Sequence, residues 1–206
     1  MTALKPASAP AAPSRSPFAG RWAGRTVACL ASGPSLTAAD CELVRSSGHP
    51  TIVTNTTFKL CPWAEVLFAF DAKWWQHYHA EVKANFKGAC LTYCAGRRFE
   101  GVETMHKQEA WFRHFHNSGA SAVSLAICGG AAKVVMLGFD CQKTGGKAHW
   151  HGDHPATMGN ARSIGNWPTQ FKNLARYAES KKAHVINASR ETALKCFPRA
   201  PLESVL

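Results

Sequence analysis

The strongest constraint on how this chain folds is an alternation along its length. Short apolar runs, several rich in β-branched residues, close on small or polar residues and are separated by stretches with helical spacing. The runs at 26–30, 51–54, 66–70, 134–137 and 184–186 read as buried strands. A helix over 37–46 is expected to open on a Ser or Thr cap, and another over 73–86 places Trp74, Tyr78 and Val82 on one face. The small-residue segment from Asn117 through Ile127 fits a third helix, capped at its start and closed by Gly129 and Gly130. A fourth helix is expected at about 168–180, and a short terminal helix after Ser189. Strands alternating with helices predict an α/β chain whose mostly parallel sheet carries helices on both faces. Ligands of such sheets bind beyond the carboxyl ends of the strands, near the switch in strand order. The polar residues that end these runs therefore share one edge.

A length of 206 residues suits a single domain. With 46% hydrophobic and 18% charged residues the chain can bury a core, which excludes a wholly disordered chain or a collagen-like repeat. Its apolar runs fall far short of the roughly 18 residues that span a bilayer, so no transmembrane segment is expected. Cysteines at 29, 41, 61, 90, 94, 128, 141 and 196 show no C-x-x-C spacing and read as free buried thiols of a reducing cytoplasm. The opening stretch is rich in Ala, Pro and Ser and lacks the apolar core of a secretory signal. It reads as a disordered tail over 1–22 ahead of a domain at 23–206. The 24 Lys and Arg against 13 Asp and Glu give a net charge of +11. The basic residues are dispersed, however, with no run longer than the pairs Arg97–Arg98 and Lys181–Lys182. The charge thus reads as a field that draws anionic donors or acceptors, with nucleic acid one candidate among them.

Three places along the shared edge carry residues suited to chemistry. Ser32-Gly33-Pro34-Ser35 joins the first strand to a helix. A glycine there lets a phosphate or ribose approach the backbone, and the helix start attracts an anion, although an ordinary capped turn fits equally. Asn117-Ser118-Gly119 repeats that physics at a second helix start, where Ser118 can cap the helix or hold a ribose hydroxyl or phosphate oxygen. The third place is His149-Trp150-His151-Gly152-Asp153-His154, inside a Gly- and His-rich stretch over 141–166 that is too long for a plain connection. Histidine there suits a general base or a metal ligand, and a catalytic or phosphate-facing histidine fits better than a metal cage. Trp74 and Trp75 follow Asp71 at a strand end, and packing is expected for at least one of them.

Taken in order, these motifs resemble a known family. Ala31-Ser32-Gly33-Pro34-Ser35-Leu36, Val53-Thr54-Asn55, Phe70-Asp71, Asn117-Ser118-Gly119, Leu137-Gly138-Phe139-Asp140 and His149-Trp150 resemble bacterial lipooligosaccharide sialyltransferases. The series is also similar to the related domain of flagellin-modifying glycosyltransferases and to archaeal-type 6-hydroxymethylpterin diphosphokinases. The H-W-x-G-x-H-P pattern from His149 to Pro155 resembles uncharacterised bacteriophage proteins, which would place the protein in the cytoplasm of a bacterial host. The resemblance runs from about residue 24 to the C-terminus. It implies a Rossmann-like fold and a glycosyltransferase using a nucleotide-sugar donor, CMP-linked in the sialyltransferases. It implies that Ser32, Gly33, Pro34, Ser35 and Asn55 hold the nucleotide, that Ser118 and Gly119 contact its ribose and phosphate, and that His149 is the general base. The sialyltransferases work without a metal. The diphosphokinase alternative implies magnesium on Asp71 and Asp140 and pyrophosphoryl transfer from a nucleoside triphosphate.

The departures are informative. Ser32 stands where the sialyltransferases commonly have Asn, Asp71 stands where they have a nucleotide-contacting Asn, and 141–148 lacks their phosphate-holding tyrosines. A carboxylate at Asp71 disfavours a nearby phosphate unless a cation or base amine intervenes, so the donor need not be a CMP-sugar. The acceptor is open between a glycan and DNA, and a non-catalytic nucleic-acid-associated protein is the reading from another class.

Overall fold

The computed structural model describes residues 16–94, 96–105, 111–155, 158 and 163–206. Seven strands form one sheet: β1 (Thr26–Leu30), β2 (Thr51–Thr54), β3 (Val66–Phe68), β4 (Ala89–Thr92), β5 (Val102–Thr104), β6 (Lys133–Leu137) and β7 (His184–Asn187). Four helices accompany them: α1 (Ala38–Ser46), α2 (Ala72–Asn85), α3 (Ser118–Cys128) and α4 (Trp167–Ser180). The strands lie in the order β5-β4-β3-β2-β1-β6-β7, and every neighbouring pair is parallel. The chain steps outward from β1 to β5, then α3 carries it back to β6 on the far side of β1. Strand order therefore reverses between β1 and β6, the Rossmann-like arrangement that leaves a crevice at that point.

Both faces of the sheet are covered, which is why the central strands are apolar throughout instead of alternating. Val27 and Cys29 of β1 pack with Val123, Leu125, Phe171 and Leu174 of α3 and α4. Ala28 and Leu30 pack on the opposite face with Val44 of α1 and the tryptophans of α2. Trp74 and Trp75 are both buried, edge to face with centroids 5.0 Å apart. All eight cysteines are free, and burial pushes the Cys29 thiol up. Small residues let α3 lie close on the sheet, and its buried hydroxyls are used: Ser121 Oγ accepts from the Phe115 N–H at 3.1 Å. Among the described residues no helix is long and apolar enough to cross a membrane.

Four expectations need correction. Strands β4 and β5 lie where the sequence pattern predicts none, because ACLT and VET are short, partly exposed and too brief for a periodic signal. The run at 66–70 is a strand only to Phe68. The terminal helix is a single 3-10 turn at Leu202–Ser204. The tail over 1–22 is not all tail. Residues 1–15 lie outside the described residues, but Phe18 and Trp22 are 3% and 0% exposed in the core. The Trp22 N–H donates to Gly129 O at 2.8 Å and its indole N–H to Glu65 at 3.2 Å. Two aromatics four positions apart dock on the α3 end, a signal that averaging over an Ala/Pro/Ser-rich stretch conceals.

Candidate functional site

A cleft of about 590 Å³ opens at the carboxyl ends of the strands. It gathers Ser32 and Gly33 after β1, Asn55 after β2, Asp71 after β3, Ser118 and Gly119 at the start of α3, and His149 of the long loop. Pro34, Ser35 and Asp140 are not on its wall.

The Gly-Pro-Ser turn is closed by protein groups. The Gly33 N–H donates to Gly138 O at 2.8 Å. A Cβ at residue 33 would lie 2.3 Å from that oxygen and 2.1 Å from Asp140 Oδ1, so glycine is required by close packing. Asp140 is fully buried and accepts from the Ser35 N–H at 3.0 Å, the Ser35 hydroxyl at 2.7 Å and the Thr144 hydroxyl at 3.0 Å. Burial raises its pKa, and those hydrogen bonds oppose the rise. At the start of α1, Thr37 and Asp40 form a reciprocal capping box, and Arg190 grips the Asp40 carboxylate. A resident carboxylate therefore already occupies the place an anion would take. The expected phosphate cradle at this turn is corrected: its Gly33 and Ser35 amides are consumed, and Asp140 locks the turn. Ser32 contributes to the cleft wall, yet its hydroxyl bonds Thr57 Oγ1 at 2.9 Å.

The second junction is different. Asn117, not Ser118, caps α3, its Oδ1 accepting from the Ala120 N–H at 3.0 Å. The Ser118 hydroxyl accepts from the Phe70 N–H at 3.0 Å and ties the end of β3 to the helix start. The Ser118 and Gly119 amides at the start of α3 have no acceptor within the helix, and both residues line the cleft. Asn55, just after β2, lines the same cleft. Its backbone is left-handed at φ 48°, and its Oδ1 is buried with no hydrogen-bond partner. Asn55, His116 and Cys141 are three of the four described non-glycine residues with positive φ, and all three line this cleft. Such conformations concentrate where function over-determines them.

Asp71 stands at the cap position of α2 without capping it, and partial burial raises its pKa while one side keeps solvent access. Trp150 anchors the histidine loop: its N–H donates to Ser32 O at 3.1 Å and its indole N–H to Thr57 Oγ1 at 3.5 Å. Burial lowers the pKa of His149, against the pull of the Asp153 charge and a backbone hydrogen bond at Ser32. His151 and His154 converge on it, with all three ring centroids 4.7–5.1 Å apart. Burial and the neighbouring rings push His151 down to about 3 and His154 to about 4. Three neutral imidazoles thus meet beside the cleft, and among the described residues they are the one His, Cys, Asp or Glu group close enough to share a metal ion.

One feature that the sequence hardly discloses is an aromatic stack that reaches the cleft at Phe70 and His116. Phe70 stacks on Tyr93 at 5.7 Å, Tyr93 on His114 at 4.0 Å, and His114 meets His116 at 4.3 Å. The Tyr93 hydroxyl is buried with no hydrogen-bond partner. The His-Phe-His run just before Asn117 was its only visible trace. A scan of protein-family models and a search of curated proteins match nothing in this chain.

Proposed function

We propose that the protein is a nucleotide-dependent transferase, a glycosyltransferase of the sialyltransferase-like kind. The observation that carries this reading is the convergence, at the strand-order switch, of an unpartnered Asn55 amide oxygen, an open helix N-terminus and a neutral histidine around one cleft. Phe70, His116 and Asn55, all on the cleft wall, would hold the nucleoside, with Asn55 Oδ1 accepting from a base amine or ribose hydroxyl. The Ser118 and Gly119 amides would face the donor phosphate, where the helix dipole stabilises the negative charge that grows as the phosphate leaves. The His149 side of the cleft would take the proton of the acceptor hydroxyl as its oxygen attacks the sugar carbon. The +11 charge supports an anionic donor or acceptor, DNA and acidic glycans included.

Magnesium-dependent pyrophosphoryl transfer draws less support, because Asp140 is turned away into the turn and Asp71 is left as the one carboxylate of the expected pair on the cleft wall. Calorimetry against nucleotide-sugars and nucleoside triphosphates tests the proposal. Binding of a nucleotide-linked donor, weakened in Asn55→Ala, is expected. Absence of binding by either class, together with a His149→Ala protein unchanged in every activity, refutes it. DNA affinity that falls steeply with salt and ignores nucleotides would favour the non-catalytic reading.

A further inference from the structure

We propose that His149, His151 and His154 hold one divalent transition-metal ion at the edge of the cleft. The three offer one ring nitrogen each, all within 4.8 Å of one another. On a tetrahedral ion bound at about 2.0–2.1 Å, such nitrogens stand roughly 3.4 Å apart. Small rotations of the side chains close that difference.

The convergence has a backbone cause. Trp150 is fixed between Ser32 and Thr57, the Gly152 N–H returns to His149 O at 3.2 Å, and Gly152 adopts φ 84°. The loop therefore turns back between His149 and Gly152 and carries the side chains of residues 149, 151 and 154 to one point. That arrangement has little value for packing alone. His151 Nε2 is buried without any hydrogen-bond partner, a state that costs about 1–3 kcal/mol and that a metal ion relieves. Uncharged imidazole suits zinc, copper, nickel and iron over magnesium or calcium. Three protein ligands with one position open is the pattern of reactive zinc sites, and His149 and His154 both border the cleft toward which that position can face.

This inference rests on the transferase reading for its chemical use, though not for its existence. A ring nitrogen on the metal takes no proton, so with the ion bound His149 acts as a ligand. The acceptor hydroxyl would bind the open position, where the metal lowers its pKa; its O–H bond breaks, the proton passes to solvent, and the metal-held oxygen attacks the sugar carbon as the phosphate leaves with the nucleotide.

The test uses tag-free full-length protein, stripped with a chelator and dialysed. Co²⁺ is followed by visible absorption and Zn²⁺ by calorimetry. One ion per chain is expected, with the bands of a four- or five-coordinate cobalt. His151→Gln, which is outside the cleft wall, removes a ligand and should weaken binding by at least the ~100-fold that loss of an outer-shell partner can cost, while its metal-free melting temperature stays close to that of the parent. A His149→Gln, His151→Gln, His154→Gln triple variant that binds as tightly as the parent, or a parent that takes up no ion, overturns the site. Donor binding by a parent that takes up no metal leaves the transferase reading standing alone. Metal uptake without any donor binding supports the site and overturns its role in transfer.

Discussion

Replacing Asp140 with alanine separates a turn-locking carboxylate from a magnesium ligand. The side chain is 0% exposed and accepts three hydrogen bonds, two from Ser35 and one from Thr144. The two hydroxyls can rotate toward water or other acceptors. The Ser35 N–H cannot, and a buried donor left unsatisfied costs about 1–3 kcal/mol. Losing two charge-assisted bonds adds to this, while removing a buried charge returns part of its desolvation cost. A net loss of about 2–4 kcal/mol is expected for Asp140→Ala. At roughly 2–4 °C per kcal/mol for a domain of this size, the melting temperature should fall by about 4–16 °C. Asp140→Asn keeps the shape and one acceptor oxygen and should lose about half as much. Urea unfolding followed by tryptophan fluorescence, with thermal unfolding in parallel, reads both. Two variants as stable as the parent, with activity lost only in magnesium, would refute the structural role and restore the ligand role.

Gly33→Ala drives a methyl group onto Gly138 O and Asp140, both of which are held by other bonds. Thermal unfolding should report a loss of at least ~2 kcal/mol, with the wall formed by Ser32 displaced. Ser118→Ala removes the acceptor of the Phe70 N–H and should cost about 1–3 kcal/mol in denaturant unfolding, whereas Asn117→Ala removes the α3 cap and should cost about 1 kcal/mol. Trp22→Ala deletes a fully buried indole and should cost about 3–5 kcal/mol; a neutral result would place residues 16–22 outside the fold after all.

What the sequence discloses follows from the range of the interactions involved. Strands β1, β2, β6 and β7 were legible because buried parallel strands are continuous apolar runs. The start of α1 was legible because Thr37 caps it through local chemistry. Strands β4 and β5 are defined by pairing to neighbours, which leaves no mark on three or four residues. The role of Asp140 depends on a partner 105 positions away, so local sequence leaves the Gly-Pro-Ser turn open between a phosphate loop and a capped turn. The histidine stretch was visible as a pattern, but convergence of its rings depends on where Trp150 docks. The aromatic stack joins Phe70, Tyr93, His114 and His116 from three segments, none of which is distinctive alone.

Nucleotide binding in the cleft at the strand-order switch, through Asn55 and the start of α3, is what the proposed transfer requires first. Protection against heat by a panel of nucleotides differing in base and phosphate number tests it directly, since a ligand that binds only the folded state stabilises it. At about 100 times its dissociation constant such a ligand adds about 2.7 kcal/mol, a rise of roughly 5–11 °C. At least one nucleotide should raise the melting temperature by that amount in the parent, and the rise should be clearly smaller in Asn55→Ala. No shift with any nucleotide, or an equal shift in Asn55→Ala, would contradict it.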